Sequence, residues 1–182
     1  MSLGLGASTT LLDVNNELLN NIKSQYPAVN VAESSETVIK NLLPMIDIVV
    51  GAVLTPGGKP PTVITKDMLS LMEPKSILSD VSVDQGGCFE TSKPTTHGEP
   101  TYEVDSIIHY CVKNIPSAVP YTATNALNEA TKPFILKFAN SGLHGLFNDD
   151  KLLMALNTYK GKLTNLEVAE AHSLSFTTPE SV

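Results

Sequence analysis

Three short apolar runs rich in β-branched residues, DIVVGAVL (47–54), SILSDVSV (76–83) and SIIHYCV (106–112), constrain what this chain can fold into more than any other feature. Each lacks the polar alternation of a surface strand, and the first, which carries a glycine, has the pattern of a strand buried on both faces of a sheet. Helical spacing lies around them. Residues 9–14 (TTLLDV) predict a shorter strand ending in Asp13, followed by a helix over 15–25 with Leu18, Leu19 and Ile22 on its apolar side. A β-branched patch at 29–32 precedes a helix over 36–43, with Ser34 and Ser35 available as caps and Val38, Ile39, Leu42 and Leu43 on one side. Glycines and prolines within 56–61 require a turn, and 66–72 can form a short helix before Pro74. Strands alternating with short helices imply right-handed crossovers, hence an α/β fold with a parallel sheet and helices on both faces.

After a proline-bounded link at 116–120 the pattern becomes helical. Residues 122–140 carry small and apolar residues at helical spacing, interrupted by Pro133, and 152–157 and 166–172 predict two further short helices. The expected organisation is therefore an α/β unit over 1–120 and a separate helical module over 121–182.

Composition narrows the function classes. The chain has 182 residues, 42% of them hydrophobic, enough for a core. Its twelve basic residues are all lysine and its formal net charge is −7, which argues against nucleic acid, a ligand normally met by arginine forks and dense positive patches. The lack of arginine also removes the usual bidentate clamp for a carboxylate. Cys88 and Cys111 have no partner at metal-ligand spacing and read as buried free thiols of a reducing cytosol, with a disulfide between them as the alternative. No basic-plus-apolar signal opens the chain and no run approaches membrane length, so a soluble cytoplasmic protein is expected, with no membrane partner.

In open parallel sheets ligands bind at the carboxyl ends of the strands. Asp13, ending the first strand, can accept hydrogen bonds from ribose hydroxyls or can be a surface aspartate in a turn. Small residues at Gly51-Ala52-Val53-Leu54 and Val81-Ser82-Val83-Asp84 would let a flat ring approach the backbone. Asp84-Gln85-Gly86-Gly87 is the most informative group: a carboxylate and two glycines at a strand end. Asp84 can orient an amine, relay a proton or face a nicotinamide; alternatively it caps an Asx-type turn. His97 is an acid/base candidate by residue type, although its polar surroundings fit a solvated loop histidine. His109 fits a satisfied core histidine, and His144 and His172 fit surface positions. No histidine forms metal spacing with an acid, so no metal site is expected. The stretch GLGASTTLLDVN (4–15) imitates a dinucleotide fingerprint, but Asp13 follows Gly4 by nine residues. The fingerprint calls for about 20. The stretch reads instead as the end of a helix turning through Gly4 and Gly6 into a strand.

GAVLTPGGKPP (51–61), SDVSVDQGGCFETSKPTTHGEPTYE (79–103), HYCVKNIPSAVPYTAT (109–124) and LNTYKGKLTNLEVAEAH (156–172) together resemble the carboxyl-terminal part of the bacterial alanine dehydrogenase family. Transhydrogenase α-subunits are similar but differ at Asp84-Gln85. The resemblance implies an NAD-binding domain of the Rossmann type followed by a helical segment completing a substrate domain. It places Asp13 at the adenosine ribose, Ser34 near the adenine, and Val53 and Leu54 along the cofactor cleft. Val81, Ser82, Val83 and Asp84, with Val112, Lys113, Asn114 and Ile115, would lie along the nicotinamide end, and Asp84 matches the family's active-site aspartate. Lys93 stands where many relatives have an arginine near the cofactor. A magnesium site of some members falls here at Lys137 and Ser141, which cannot form it.

The resemblance further implies the reaction of L-alanine, NAD and water to pyruvate, ammonia and NADH, in a homo-hexamer. The substrate clamp and the proton-handling histidine belong to the family's amino-terminal half, so this chain is expected to be an inactive fragment on its own. A non-catalytic remnant with weak nucleotide affinity, or a transhydrogenase relative, is the alternative. In the Rossmann order 3-2-1-4-5-6 the strands here begin with the second, leaving a gap at the central first strand and its glycine loop. Two unpaired edges are then expected, leaving an aggregation-prone monomer or a chain that closes the gap with another copy.

Overall fold

The computed structural model describes residues 1–55 and 58–181, so part of the predicted 56–61 turn, Pro56 and Gly57, lies outside the described residues. The larger sheet is built from β3 (Ile48–Gly51), β4 (Ile77–Asp80), β5 (Thr101–Val104) and β6 (Ile107–Tyr110), in the order β3-β4-β6-β5. β3, β4 and β6 are parallel, and β5 pairs antiparallel with β6. A smaller parallel pair is formed by β1 (Thr10–Asp13) and β2 (Asn30–Glu33). Between its strands runs α1 (Asn16–Gln25), started by the Asn15 side chain accepting the Leu18 N–H. α2 (Glu36–Leu42) starts in the same way, with Ser35 accepting from Val38 N–H.

The fold is thus α/β with a mixed, mainly parallel sheet, and the β-branched runs do form its parallel strands. Among the described residues no strand joins β1 to β3, so β1 and β2 form a sheet separate from that of β3, β4, β5 and β6. The turn before β1 also matches its reading: a 3-10 turn at Ser2–Leu5 ends at Gly6, whose φ of 85° is the left-handed cap that glycine favours.

One face of the larger sheet is closed. In register, Val49, Leu78 and His109 lie side by side, as do Gly51 and Asp80. Leu78 belongs to one buried core with Leu43, Ile64, Met68, Leu69, Met72, Cys88, Phe89 and Ile107, with Ile39 and Val49 at the margin. Residues 36–45 thereby connect the smaller sheet to this core. The opposite face corrects two expectations. β3 is not buried on both sides, because Ile48 and Val50 are 56% and 61% exposed. Nor do helices cover both faces, because none of the described helices lies over these side chains.

Other boundaries shift for physical reasons. The run 76–83 is not one strand: β4 stops at Asp80, whose side chain caps a 3-10 turn over Val81–Gln85. The short helix expected at 66–72 is a 3-10 turn, Asp67–Leu71. β5 was unforeseen; it returns into β6 through Asp105 and Ser106, both at positive φ. In the carboxyl-terminal part, α3 (Pro120–Phe147) runs through Pro133 and breaks instead at Gly142, where φ is 57° and ψ is −154°. α4 (Asp150–Leu153) and α5 (Leu166–His172) enclose a small hairpin of β7 (Thr158–Tyr159) and β8 (Lys162–Leu163), so this part is not helical throughout. Tyr121, Leu127 and Ile135 of α3 are exposed apolar side chains.

Gly51 shows how closely β3 approaches the segment after β4. A Cβ there would sit 2.4 Å from Cys88 Sγ and 2.5 Å from Phe89 Cζ. Gly51→Ala is expected to destabilise the chain by about 1–3 kcal/mol in urea titration, the range for overpacking a closed core.

Candidate functional site

The parallel arrangement brings the exits of β3, β4 and β6 to one edge. Ser82, in the turn after β4, donates its hydroxyl to the Val53 carbonyl beyond β3 at 2.7 Å. Asp84, at the exposed side of the same turn, accepts the Asn114 N–H at 3.0 Å through Oδ2. Asn114 follows β6 and has a φ of 51°, the left-handed conformation that asparagine tolerates better than most residues. Val53, Ser82, Asp84 and Asn114 are therefore linked across three strand exits, with Val81 and Lys113 exposed beside them. Ser82, Val83 and Val112 are buried, so their side chains form the floor of this edge rather than its surface. Ile115 begins a 3-10 turn, Ile115–Ala118, and Leu54 is exposed.

Asp13 and Ser34 form a second group at the exits of the smaller sheet. The Asp13 carboxylate accepts Asn15 N–H at 2.8 Å, and its carbonyl accepts Ser34 N–H at 2.9 Å. Asp13 therefore closes a turn at the end of β1. No hydrogen bond described here joins this pair to the Asp84 group. Lys93 lies on another segment: its N–H donates to Tyr102 Oη at 2.6 Å, and its side chain is exposed.

The glycines after Asp84 belong to a residue that the sequence reading passed over. Asp80 is completely buried and accepts Ser82 N–H and Cys88 N–H, each at 2.9 Å, together with the Ser92 hydroxyl. Gly86 and Gly87 wrap the chain around it at φ of 107° and 78°, and a Cβ on Gly87 would meet Asp80 Oδ2 at 2.9 Å. An aspartate inside an otherwise apolar run was the available signal. The Cys88 thiol points at Asp80 Oδ1 from 3.5 Å. Burial, then the neighbouring carboxylate's charge, pushes the thiol's pKa up to about 12, so it stays protonated and unreactive at neutral pH.

The histidines divide as expected where the geometry tests them. His109 is buried, with Nδ1 donating to the Ile107 carbonyl at 3.0 Å and Nε2 meeting Thr91 Oγ1 at 2.7 Å, and it stacks on Tyr102. His97 is exposed, though its Nε2 lies 3.0 Å from Ser117 Oγ. Lys137 pairs with Asp149, and the Ser141 hydroxyl donates to the Lys137 carbonyl at 2.6 Å. Among the described residues no three metal-ligating side chains converge. No described helix is long and apolar enough to cross a membrane.

These features define an α/β protein whose polar groups gather at the carboxyl ends of parallel strands, the side on which such sheets hold ligands. Residues 1–166 match the family model described as Alanine dehydrogenase/PNT, C-terminal domain, and the chain belongs to that family. It is 47% identical over 178 residues to the alanine dehydrogenase of Halomonas elongata, covering 97% of this chain and 48% of that protein. With the alanine dehydrogenase of Staphylococcus haemolyticus the identity is 44%, over 99% of this chain and 49% of the relative. A solved L-alanine dehydrogenase superposes with a TM-score of 0.81 at 40% identity, over 95% of this chain and 48% of that one. A transhydrogenase from Sinorhizobium meliloti shares the fold, with a TM-score of 0.59 at 23% identity over 67% of this chain and 34% of that one. The chain spans about half the length of the curated relatives it matches.

Two measurements check this geometry. Ser82→Ala removes the donor that ties the exits of β3 and β4, and should cost about 1 kcal/mol in chemical denaturation. Burial holds the His109 imidazole below its ordinary pKa of 6.5. The unfolded chain therefore takes up a proton below that pH before the folded chain does, and stability present above it declines as the pH falls toward the folded-state pKa. The loss runs at up to about 1.4 kcal/mol per pH unit. Denaturation midpoints measured from neutral to mildly acidic pH should show this slope in the parent and a flatter one in His109→Gln.

Proposed function

We propose that this chain is the cofactor-side half of an NAD-dependent alanine dehydrogenase, working in the cytoplasm with the portion that its relatives carry outside the matched half. The reaction is L-alanine, NAD and water to pyruvate, ammonia, NADH and a proton. The observation that carries the reading is the exposed Asp84 carboxylate at the shared exit of β4 and β6, in a chain 47% identical to an alanine dehydrogenase.

The residues present fit a dinucleotide in part. Asp13 and Ser34 offer polar groups at the smaller sheet's exits, suited to the adenosine end, with the ribose hydroxyls donating to Asp13. Val53, Leu54 and Val81 offer apolar surface, and Asp84, Lys113, Asn114 and Ile115 border the nicotinamide end over the buried Ser82, Val83 and Val112. Lys93 would supply positive charge without a guanidinium's fork. NAD, when bound, supplies the two-electron acceptor for the hydride leaving alanine's Cα. Asp84 would hold the substrate's ammonium group or pass its proton to water. With no arginine in the chain, the substrate carboxylate would be gripped by residues outside the matched half. That portion, or further copies in a homo-oligomer, would cover Ile48, Val50 and the exposed apolar residues of α3.

A chimaera joining the amino-terminal half of the Halomonas elongata enzyme to this chain tests the proposal through alanine-dependent NADH formation. The chain alone is expected to give none. The chimaera should turn over within the ordinary enzymatic range of about 1 to 10³ s⁻¹. Asp84→Ala in the chimaera should lose at least about a hundredfold in kcat with NADH affinity largely kept. A folded chimaera that binds NADH but leaves alanine unoxidised, with the parent relative active under the same conditions, would overturn the reading in favour of a non-catalytic nucleotide-binding module.

A further inference from the structure

We infer that Asp80 is the positioning residue for Asp84: the loop carrying the exposed carboxylate is folded around the buried one. The inference rests on the proposed role of Asp84 and extends it to a residue that touches neither substrate nor cofactor.

The two carboxylates have opposite surroundings. Asp84 is exposed and accepts one described hydrogen bond, from Asn114 N–H. Asp80, four residues earlier and fully buried, is the target of donors from both ends of the loop: Ser82 N–H on the near side, and Cys88 N–H, Cys88 S–H and the Ser92 hydroxyl on the far side. A carboxylate is acceptor-only with room for about four such bonds, so this set matches its capacity. Bonds to an ionised acceptor are about twice as strong as those between neutral groups. The residues between those anchors have little freedom left. Gly86 N–H closes on the Val83 carbonyl and Gly87 N–H on the Ser82 carbonyl, each at 3.1 Å. A Cβ on Gly87 would meet Ser92 Cβ at 2.8 Å as well as the carboxylate's Oδ2 at 2.9 Å, and its φ of 78° favours glycine. Asp84 stands at the crest of this turn, and its contact with Asn114 follows from the turn's placement.

Substitution by asparagine tests the idea with little change of shape. Its amide nitrogen would face N–H groups that need an acceptor, so one end of the loop is released. Hydrogen exchange at the Asn114 amide in the full chain, followed by NMR, reports the Asp84 contact directly. The Ile108 amide, bonded to the Ser76 carbonyl in the sheet, reports the fold. Asp84→Ala should speed exchange at Asn114 by about tenfold, the factor expected for one lost hydrogen bond. Asp80→Asn should do the same while Ile108 remains protected. The double variant should exchange no faster at Asn114 than Asp84→Ala alone, because both changes remove one interaction. Additive effects, or unchanged exchange at Asn114 in Asp80→Asn, would overturn the inference. Should Asp80→Asn expose Ile108 as well, Ser92→Ala replaces it, removing a far-side donor to the carboxylate while leaving the backbone of the loop unstrained. The same loss at Asn114 is then expected, and its absence counts against the inference. None of these readouts requires turnover, so an inactive chimaera would defeat the proposed reaction while leaving this result standing.

Discussion

The arrangement around Asp84 depends on β4 lying in register between β3 and β6. The pairing sets Gly51 opposite Asp80 and Ser79 opposite Tyr110, so three chain exits emerge at one level. Parallel strands create that alignment only by sending each return segment back across the sheet, and the core formed by Leu43, Met68, Leu69 and Leu78 is what those returns bury. Packing holds the ladder, and the ladder places the loops. The chemistry of the site is then decided within a few residues of each exit, where Ser82 reaches Val53 and Asp84 reaches Asn114.

Two carboxylates four residues apart divide the work at the centre of this edge. The inner one organises backbone and the outer one faces solvent. Glycines beside a carboxylate at a strand end suggested a functional loop, and the geometry gives them a nearer cause: Gly87 leaves room for Asp80 and Ser92 to meet beside it. The two explanations are compatible, since a loop held from within can present Asp84 without spending Asp84 on its own folding.

The parallel strands were legible because burial demands β-branched residues, and those residues stand in short runs bounded by turn formers. Hydrophobicity does not mark where a strand stops. Val81 and Val83 look like a continuation of β4, and only the side chain of Asp80 turning back on Ser82 N–H ends it. β5 was obscured because its residues, TYEV, follow a polar stretch and return through Asp105-Ser106 with no glycine to announce the turn. Pro133 drew the expected helix break away from Gly142, although a proline can be accommodated within a long helix while a positive φ cannot continue one. Most of the candidate site residues lie at or just beyond strand ends, where the runs placed them, whereas Lys93 sits on the segment between the β4 turn and β5. That Asp84 meets Asn114, 30 positions later, is a tertiary fact that no local pattern carries.

The separation of the β1-β2 sheet from the larger sheet has a mechanical consequence. Hydrogen-bonded ladders transmit cooperativity, and none runs from β1 to β3 among the described residues, where Ile39 and Leu43 pack on the core of the larger sheet instead. A molecule spanning Asp13 on one unit and Asp84 on the other would act as a tie rod between two sheets that no described ladder joins.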